Sequence, residues 1–304
     1  MIRTVWLTIA CCGLLAAADL KVPMFFARQD FPSAGHDLAV GDVNGDGIPD
    51  IIAFNGPTLS VMLGKGGGLF EPAKNTLSCC DYADGVALAD LNGNGDADMV
   101  LSGGLSNEEN GIRIYISNGN GTFQSPPVYY PAGNDATVGN PVVSDFNGDG
   151  ILDVMLPGAS GIWFFRSKGG GMFDAGVLTT ALSGAEIIAA ADFNGDGKLD
   201  LAVSSTSLGL SVLFGNGNGM FQSPVSVPNG GGCRLVGCLV AADANGDGYP
   251  DIVIANGNIY FNNGQGSFPT NEPTPVFGQG VAIGDRRLLF DCFGSYKEPQ
   301  QHFS

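Results

Sequence analysis

The chain has 304 residues, of which 48 are Gly, and it carries a formal net charge of −17. So many glycines without a Gly-X-Y period, in a chain that is 44% hydrophobic, exclude a collagen and a disordered chain, and favour short strands joined by tight turns over helices. Because the 13 basic residues are few and scattered, the composition also argues against binding to nucleic acid or to an anionic membrane surface.

Residues 1–18 form the first element and have the pattern of a signal peptide. Arg3 supplies an early positive charge, an apolar stretch starts at Val5, and the stretch ends in small residues, which predicts cleavage before Asp19. A membrane anchor is the alternative, but it would need roughly 20 consecutive apolar residues. We therefore expect a secreted protein, extracellular or at the cell surface, with no membrane span after cleavage.

Export would place the five cysteines of the mature chain where disulfides persist, and an odd number leaves at least one without an intramolecular partner. Cys233 and Cys238 are spaced to close a local loop. Cys79 and Cys80 form either a strained bridge or separate thiols, and the pairing of these residues and of Cys292 stays open. The absence of a CxxC motif argues against a zinc site or thioredoxin-like chemistry.

An acidic loop of nine residues occurs five times, every 47 to 55 residues, and organises the rest of the chain. Loops 1 to 5 have Asp, Asn, Asp and Asp at positions 1, 3, 5 and 9 and Gly at position 6, except that loop 2 has Asn94 at position 5. The loops begin at Asp42, Asp90, Asp145, Asp192 and Asp243. A second motif, G-x-G-x-F, follows every loop and begins at Gly66, Gly119, Gly169, Gly217 and Gly264.

Four short strands fill each repeat. A strand of small residues such as 38–41 precedes the loop, an apolar strand such as 201–204 follows it, a third leads into the G-x-G-x-F turn, and a fourth runs on from the Phe. Four strands in about fifty residues, repeated, are typical of a β-propeller blade. Small inner strands would converge on the central channel, and the Phe would pack between blades. We predict an all-β propeller of four-stranded blades, with five regular blades and a partial sixth.

The loop pattern predicts a calcium site in each repeat, because oxygen donors at alternate positions, wrapped by a Gly, match the six to eight oxygens that Ca²⁺ takes. An EF-hand begins in the same way but needs an acid at position 12. Position 12 is instead Ala53, Leu101, Leu156, Val203 and Ile254. A metal-free Asx-rich turn explains one such loop, but five copies that keep the fourth acid favour a metal.

The predicted ligands are the side chains at positions 1, 3, 5 and 9 and the backbone carbonyl at position 7, for up to five Ca²⁺ ions. They are Asp42, Asn44, Asp46, Ile48 and Asp50; Asp90, Asn92, Asn94, Asp96 and Asp98; Asp145, Asn147, Asp149, Ile151 and Asp153; Asp192, Asn194, Asp196, Lys198 and Asp200; and Asp243, Asn245, Asp247, Tyr249 and Asp251. We expect loop 2 to bind most weakly, because Asn94 replaces a charged ligand and Asp96 would contribute only its carbonyl.

On these motifs the chain resembles the FG-GAP/VCBS repeat family, whose loops occur in the propeller of integrin α subunits and in many secreted bacterial proteins. The resemblance covers about residues 22–285. It implies a propeller, usually of seven blades, with Ca²⁺ between the first and second strands of a blade. It also implies a role in adhesion, protein recognition or carbohydrate binding.

The repeat breaks down near the carboxyl end. Residues 281–285 start a sixth copy, but the sequence continues as Arg286-Arg287 instead of an acidic loop. We therefore divide the chain into a signal peptide (1–18), a propeller (19–285) and an irregular tail (286–304). The tail is explained either by a degenerate sixth blade or by truncation or a frameshift relative to the family, and the abrupt stop favours the second.

These features favour a secreted recognition or adhesion module for protein or carbohydrate ligands, without catalytic or organic-cofactor residues and with structural Ca²⁺. The alternative is a propeller-type polysaccharide lyase or other carbohydrate-active enzyme, which needs a base and a cationic group. The chain offers only His36 and His302, and neither G-x-S-x-G nor H-E-x-x-H occurs. A fragment of a larger surface assembly is a third possibility. Trp163 and the pair Tyr129-Tyr130 are candidates for ligand contact, although packing is the simpler explanation for each.

Overall fold

A computed structural model describes residues 37–55, 58–78, 84–103, 110–133, 135, 139–231, 239–254, 258–273, 280–284 and 287–291. Throughout these ranges the secondary structure is β, with no α-helix. Accordingly, no helix in this part of the chain is long and apolar enough to cross a membrane. The predicted signal peptide, the five cysteines and both histidines lie outside the described residues.

Five four-stranded antiparallel sheets follow one another in the described part of the chain, and we name them blades 1 to 5. Their strands lie in chain order from the inner to the outer edge. Blade 1 contains Asp37–Gly41, Asp50–Asn55, Thr58–Met62 and Lys74–Ser78; blade 2 contains Gly85–Ala89, Asp98–Gly103, Gly111–Tyr115 and Val128–Pro131; blade 3 contains Val142–Ser144, Asp153–Gly158, Gly161–Phe165 and Val177–Thr180; blade 4 contains Ala185–Ala191, Asp200–Ser205, Gly209–Leu213 and Val225–Ser226; and blade 5 contains Leu239–Ala242, Asp251–Ile254, Asn258–Phe261 and Thr270–Pro273.

Each acidic loop connects the inner strand of a blade to its second strand. The ninth loop residue is the first residue of the second strand, and it pairs with the residue that precedes the loop. The pairs are Gly41 with Asp50, Ala89 with Asp98, Ser144 with Asp153, Ala191 with Asp200 and Ala242 with Asp251. The same hairpin register in every blade therefore places the five loops at equivalent positions.

The G-x-G-x-F motifs form small hairpins between the third and outer strands. In blade 1, Gly64–Gly66 pairs with Leu69–Phe70, and in blade 3, Ser167–Gly169 pairs with Met172–Phe173. Single β-bridges, Ser117 with Phe123 and Gly215 with Phe221, mark the equivalent turns in blades 2 and 4. The predicted order of four strands, with an acidic loop after the first and a glycine turn after the third, is confirmed.

The inner strands of consecutive blades lie next to one another from blade 1 to blade 5. They are short and rich in small side chains, as in the segment Ala189-Ala190-Ala191. The predicted β-propeller of four-stranded blades is therefore confirmed. A further antiparallel pair, Gly280–Gly284 with Arg287–Asp291, follows blade 5, and its first strand lies next to the inner strand of that blade. Regular β-structure thus continues into the segment that the sequence pattern assigned to an irregular tail.

The hydrophobic core lies between blades and not within them. Each of the four buried clusters in the described residues draws on two consecutive blades. Between blades 1 and 2, for example, Ile52 and Phe54 of one sheet pack with Met99 and Tyr115 of the next. A flat sheet buries its apolar faces only against another layer, so each blade depends on its neighbours for its core.

In blades 2 to 5, the Phe of the G-x-G-x-F motif packs in these clusters, as predicted. Phe123 of blade 2 shares a cluster with Val43, which is position 2 of loop 1. Phe268 of blade 5 meets Phe193 of loop 4 edge to face, with ring centroids 5.8 Å apart. The aromatic residue of one blade thus packs on the acidic loop of the blade before it.

Candidate functional site

Glycines at positions 4 and 6 allow each acidic loop to curl back on itself. In loop 1, Gly45 and Gly47 have φ values of 72° and 79°, a region that residues with a Cβ avoid. The turn directs several backbone N–H groups inward. These N–H groups meet the carboxylate at position 1.

The carboxylate at position 1 is the centre of each loop. In loop 1, Asp42 Oδ1 accepts hydrogen bonds from the backbone N–H of Gly45 at 2.8 Å and of Asp46 at 3.2 Å, and Oδ2 accepts one from Gly47 at 2.7 Å. Donors at positions 4, 5 and 6 recur in the other four loops. In loop 5, desolvation of Asp243 is outweighed by the N–H groups of Gly248 and Gly246, so its pKa is lowered. Backbone dipoles thus favour the ionised form of Asp243.

The side chains at positions 3 and 5 continue the turn; position 5 is exposed in every loop, and position 3 is half-buried in loops 1 to 4. Asn44 Oδ1 accepts a bond from Asp46 N at 3.1 Å, and Asp46 Oδ1 accepts one from Ile48 N at 2.8 Å. The same two bonds occur in all five loops, including loop 2 with Asn94 at position 5. Because each carboxylate oxygen carries more than one lone pair, these bonds leave acceptor capacity unused.

The aspartate at position 9 is fully buried in all five loops. In loop 4, Asp200 Oδ2 accepts a hydrogen bond from Phe193 N at 2.9 Å, and Oδ1 accepts one from Gly215 N at 2.8 Å. Equivalent pairs of bonds occur in the other four loops. The residue therefore holds the loop to the end of the third strand, a role that the sequence pattern, which indicates only a ligand at this position, does not predict.

Burial raises the pKa of every aspartate at position 9, and that of Asp153 reaches about 6. Repulsion from other carboxylates of the same loop adds to the effect, as Asp149 and Asp145 do for Asp153. Basic partners reach position 5 in two described loops, where Arg166 lies 3.8 Å from Asp149 and Lys198 lies 3.7 Å from Asp196. Despite these two basic partners, the carboxylates of each loop lie close enough together to raise the pKa of the buried one at position 9.

The donor chemistry of the loops fits a hard cation. Each loop combines carboxylate, amide and carbonyl oxygens, the ligand types that Ca²⁺ prefers, and the carboxylates at positions 1, 5 and 7 add to the raised pKa of the aspartate at position 9. Among the described residues, no group of three or more Asp, Glu, His or Cys side chains is arranged so that it could hold a metal ion by itself. The predicted ligand set also includes the Asn at position 3 and the backbone carbonyl at position 7.

The loops also connect consecutive blades. The backbone carbonyl at position 2 of loops 1 to 4 accepts a hydrogen bond from the following blade. The bonds are Gly121 N to Val43 O at 3.3 Å, Gly171 N to Leu91 O at 3.0 Å, Gly219 N to Phe146 O at 3.1 Å and Asn262 Nδ2 to Phe193 O at 2.8 Å. An acidic loop is therefore held from two sides, by its own third strand and by the next blade.

The aromatic candidates for ligand contact have structural roles. Trp163 Nε1 donates to Asp135 Oδ2 at 2.8 Å. The Tyr130 hydroxyl accepts a bond from Phe173 N at 3.1 Å, and the Arg113 guanidinium lies 4.9 Å from the centre of the Tyr129 ring. These contacts agree with the packing explanation for all three residues.

A model of the FG-GAP-like repeat matches residues 42–101, 90–156, 145–203 and 192–254, each match running from one acidic loop into the second strand of the next blade. Together the matches span more than half of the chain. T-cell immunomodulatory protein of Rattus norvegicus is 31% identical over 137 residues, which cover 42% of this chain and 22% of that protein. The human protein of the same name is 32% identical over 119 residues, covering 38% and 19%. The chain thus spans about a fifth of the length of these relatives.

Two solved structures share the fold at low sequence identity. The BP39L lectin from Burkholderia pseudomallei has a TM-score of 0.54 at 17% identity, and the alignment covers 81% of this chain and 71% of the lectin. BBS1N, crystallised in complex with ARL6DN and soaked with lead, has a TM-score of 0.50 at 13% identity, with coverage of 94% and 93%.

Proposed function

The chain belongs to the FG-GAP-like repeat family, and from this premise we propose that it is a secreted, non-catalytic recognition module. In this proposal the propeller binds an extracellular protein or glycan, and structural Ca²⁺ ions occupy its blade loops. The observation that carries the proposal is the repetition of one oxygen-rich loop at the same place in five blades, with loops 1 to 4 in contact with the next blade.

Bound calcium would reduce the net negative charge of the protein and would stabilise the contacts between blades. Ligands would come from the side chains at positions 1, 3, 5 and 9 and the carbonyl at position 7. Five ions would change the formal net charge from −17 to about −7, since each adds two positive charges. Relief of the repulsion within each loop would stabilise the strand connection that the next blade contacts.

The comparisons support recognition as the kind of function. One neighbour in fold is a lectin, another was crystallised in complex with a second protein, and the relatives in sequence carry the name of an immunomodulatory protein. Glycans and proteins are therefore the two ligand classes to test. The buried cation Arg113 donates to the carbonyl of Gly103 at 2.6 Å and stacks on Tyr129, an arrangement that serves packing and does not favour the lyase alternative.

Calcium binding is tested by the melting temperature of the mature protein in excess calcium and in excess EGTA. A ligand that binds only the folded state raises the melting temperature, so we expect the value in calcium to be higher. Asp196→Asn should reduce the difference, because Asp196 is an exposed predicted ligand. Asp174→Asn, outside the loops, should leave it unchanged. A melting temperature indifferent to EGTA would contradict the calcium assignment.

Recognition and export need separate measurements. A glycan array and a panel of extracellular matrix proteins, probed with the calcium-loaded protein, should show binding to one class and none with protein unfolded by heat. Binding to neither class would contradict the recognition proposal. The amino-terminal residue of protein collected from the medium should be Asp19, whereas a product retained with residues 1–18 would contradict export with cleavage.

A further inference from the structure

Asp96 is the one acidic residue found at position 7 of an acidic loop. It stands at position 7 of loop 2, where the other loops have Ile48, Ile151, Lys198 and Tyr249. Loop 2 contains as many carboxylates as its neighbours, but one has moved from position 5, now Asn94, to position 7. The third carboxylate of loop 2 is therefore at position 7 instead of position 5.

The carboxylate of Asp96 lies between loop 1 and the glycine hairpin of blade 2. A Cβ added to Gly45 of loop 1 would clash with Asp96 Oδ1, and one added to Gly119 would lie 2.8 Å from Asp96 Oδ2. The side chain is half-buried. Glycine at both places allows this close approach, so the charge of loop 2 reaches the backbone of loop 1.

The backbone next to Asp96 also contacts loop 1 directly. Ala97 N donates to the carbonyl of Asp42 at 2.7 Å, and the Ser117 hydroxyl donates to the carbonyl of Val43 at 2.9 Å. Between blades 2 and 3 and between blades 3 and 4, the described residues show one hydrogen bond from the following blade to the acidic loop, donated by the glycine hairpin. Loops 1 and 2 are thus connected through the leading residue of loop 1 and residues 96–97.

We propose that Asp96 couples the cation sites of loops 1 and 2, so that divalent cations bind to them as a pair. This inference rests on the proposed calcium binding. A cation in loop 2 would be held by the carbonyl of Asp96 and would order the peptide that bonds to Asp42. The Asp96 carboxylate would add negative charge beside loop 1. Because coupling is reciprocal, a cation in loop 1 would strengthen loop 2 equally.

The test counts bound calcium ions by native mass spectrometry during a calcium titration. Asp46→Asn removes a charged ligand from loop 1. We expect it to lower the affinity for two ions, that of loop 1 directly and that of loop 2 by about fivefold or more through the coupling. Asp149→Asn, the same change in loop 3, should affect one ion. With Asp96→Ile, which introduces the residue of loops 1 and 3, Asp46→Asn should also affect one ion. Asp96→Asn serves as a second variant that keeps the side-chain size.

Thermal melting supplies an independent readout. Asp96→Asn should lower the melting temperature in calcium but not in EGTA, because in EGTA it removes a repulsive charge; a drop in both conditions would mean a merely structural role and would overturn the coupling. If the wild-type protein binds calcium and Asp46→Asn affects a single ion, the coupling is wrong and calcium binding stands. If the wild-type protein binds no calcium, both proposals are wrong.

Discussion

At the scale of single residues, the aspartate at position 9 of each acidic loop has two roles. Its carboxylate is a predicted ligand, and it also accepts backbone hydrogen bonds from the loop and from the third strand, as Asp200 does from Phe193 and Gly215. The sequence pattern identifies the residue but not the second task, because Gly215 lies 15 positions further along the chain. Only the hairpin register brings the two residues together.

The raised pKa of Asp153, about 6, predicts that the calcium-free protein is more stable in mild acid. A group whose pKa is raised in the folded state contributes stability that is complete below its unfolded value, near 3.8, and that is lost as the pH rises through the folded value. For protein freed of calcium beforehand and kept in calcium-free buffer, the free energy of unfolding in urea should therefore be higher at about pH 5 than at about pH 7.5.

Two variants test whether Asp153, and not another carboxylate, causes this pH dependence of stability. Asp153→Asn should be less stable, because its amide accepts only one of the two backbone bonds, and its stability should change less with pH. Asp174→Asn, which changes a half-buried acid beside Lys168 and outside the loops, should keep the wild-type pH dependence. Equal pH dependence in Asp153→Asn and wild type would mean that this carboxyl is not the titrating group.

At the scale of elements, the second glycine of the G-x-G-x-F hairpin permits contact with the previous blade. Gly219 has a φ of 78°, donates its N–H to Phe146 O, and leaves no room for a Cβ beside the Phe164 ring. Gly197 in loop 4 has a similar φ of 81°, but a Cβ there would meet nothing within 4 Å. Both glycines have a positive φ that would strain an alanine, but only at Gly219 would the added Cβ also meet another residue.

Alanine at these two positions should therefore have unequal effects. Gly197→Ala incurs only the backbone cost, about 1–2 kcal/mol. Gly219→Ala must also displace an aromatic ring from a packed interface, so we expect it to lower the free energy of unfolding by about 1–3 kcal/mol more. Urea unfolding in EGTA measures both values. Equal losses would mean that the hairpin does not press on the previous blade.

The strands and hairpins could be predicted because their signals are local. Alternating apolar residues, paired glycines and a repeat of about fifty residues define them without knowledge of the fold. The partners of each loop could not be predicted, since Gly121 and Val43 come from different repeats. The sequence shows Asp96 only as a substitution at position 7, because its proximity to Gly45 depends on how blade 2 packs against blade 1.

At the scale of the whole molecule, the shared clusters predict that the propeller unfolds as one unit. Phe193 is fully buried between blades 4 and 5, and Phe193→Ala should lower the free energy of unfolding by about 3–5 kcal/mol. Trp163 in blade 3 is the only Trp outside residues 1–18, so its fluorescence reports on a blade that the substitution does not touch.

The midpoint of urea unfolding should fall equally when it is followed by Trp163 fluorescence and by far-UV circular dichroism. Leu208→Ala, at an exposed turn of blade 4, is the control and should change neither midpoint. A midpoint that falls by circular dichroism alone would mean that blades 4 and 5 unfold separately from blade 3.

The packing of each loop on the Phe of the next blade also bears on how such a chain evolves. The two rings at one interface, Phe193 and Phe268, are 75 positions apart and belong to different repeats. Duplication of one whole repeat copies both halves of an interface and yields matching surfaces at once. A substitution in one half, by contrast, requires a compensating substitution in the other. Inheritance by whole repeats is therefore the easier route to a longer propeller, and the surfaces between blades constrain divergence more than the repeats do.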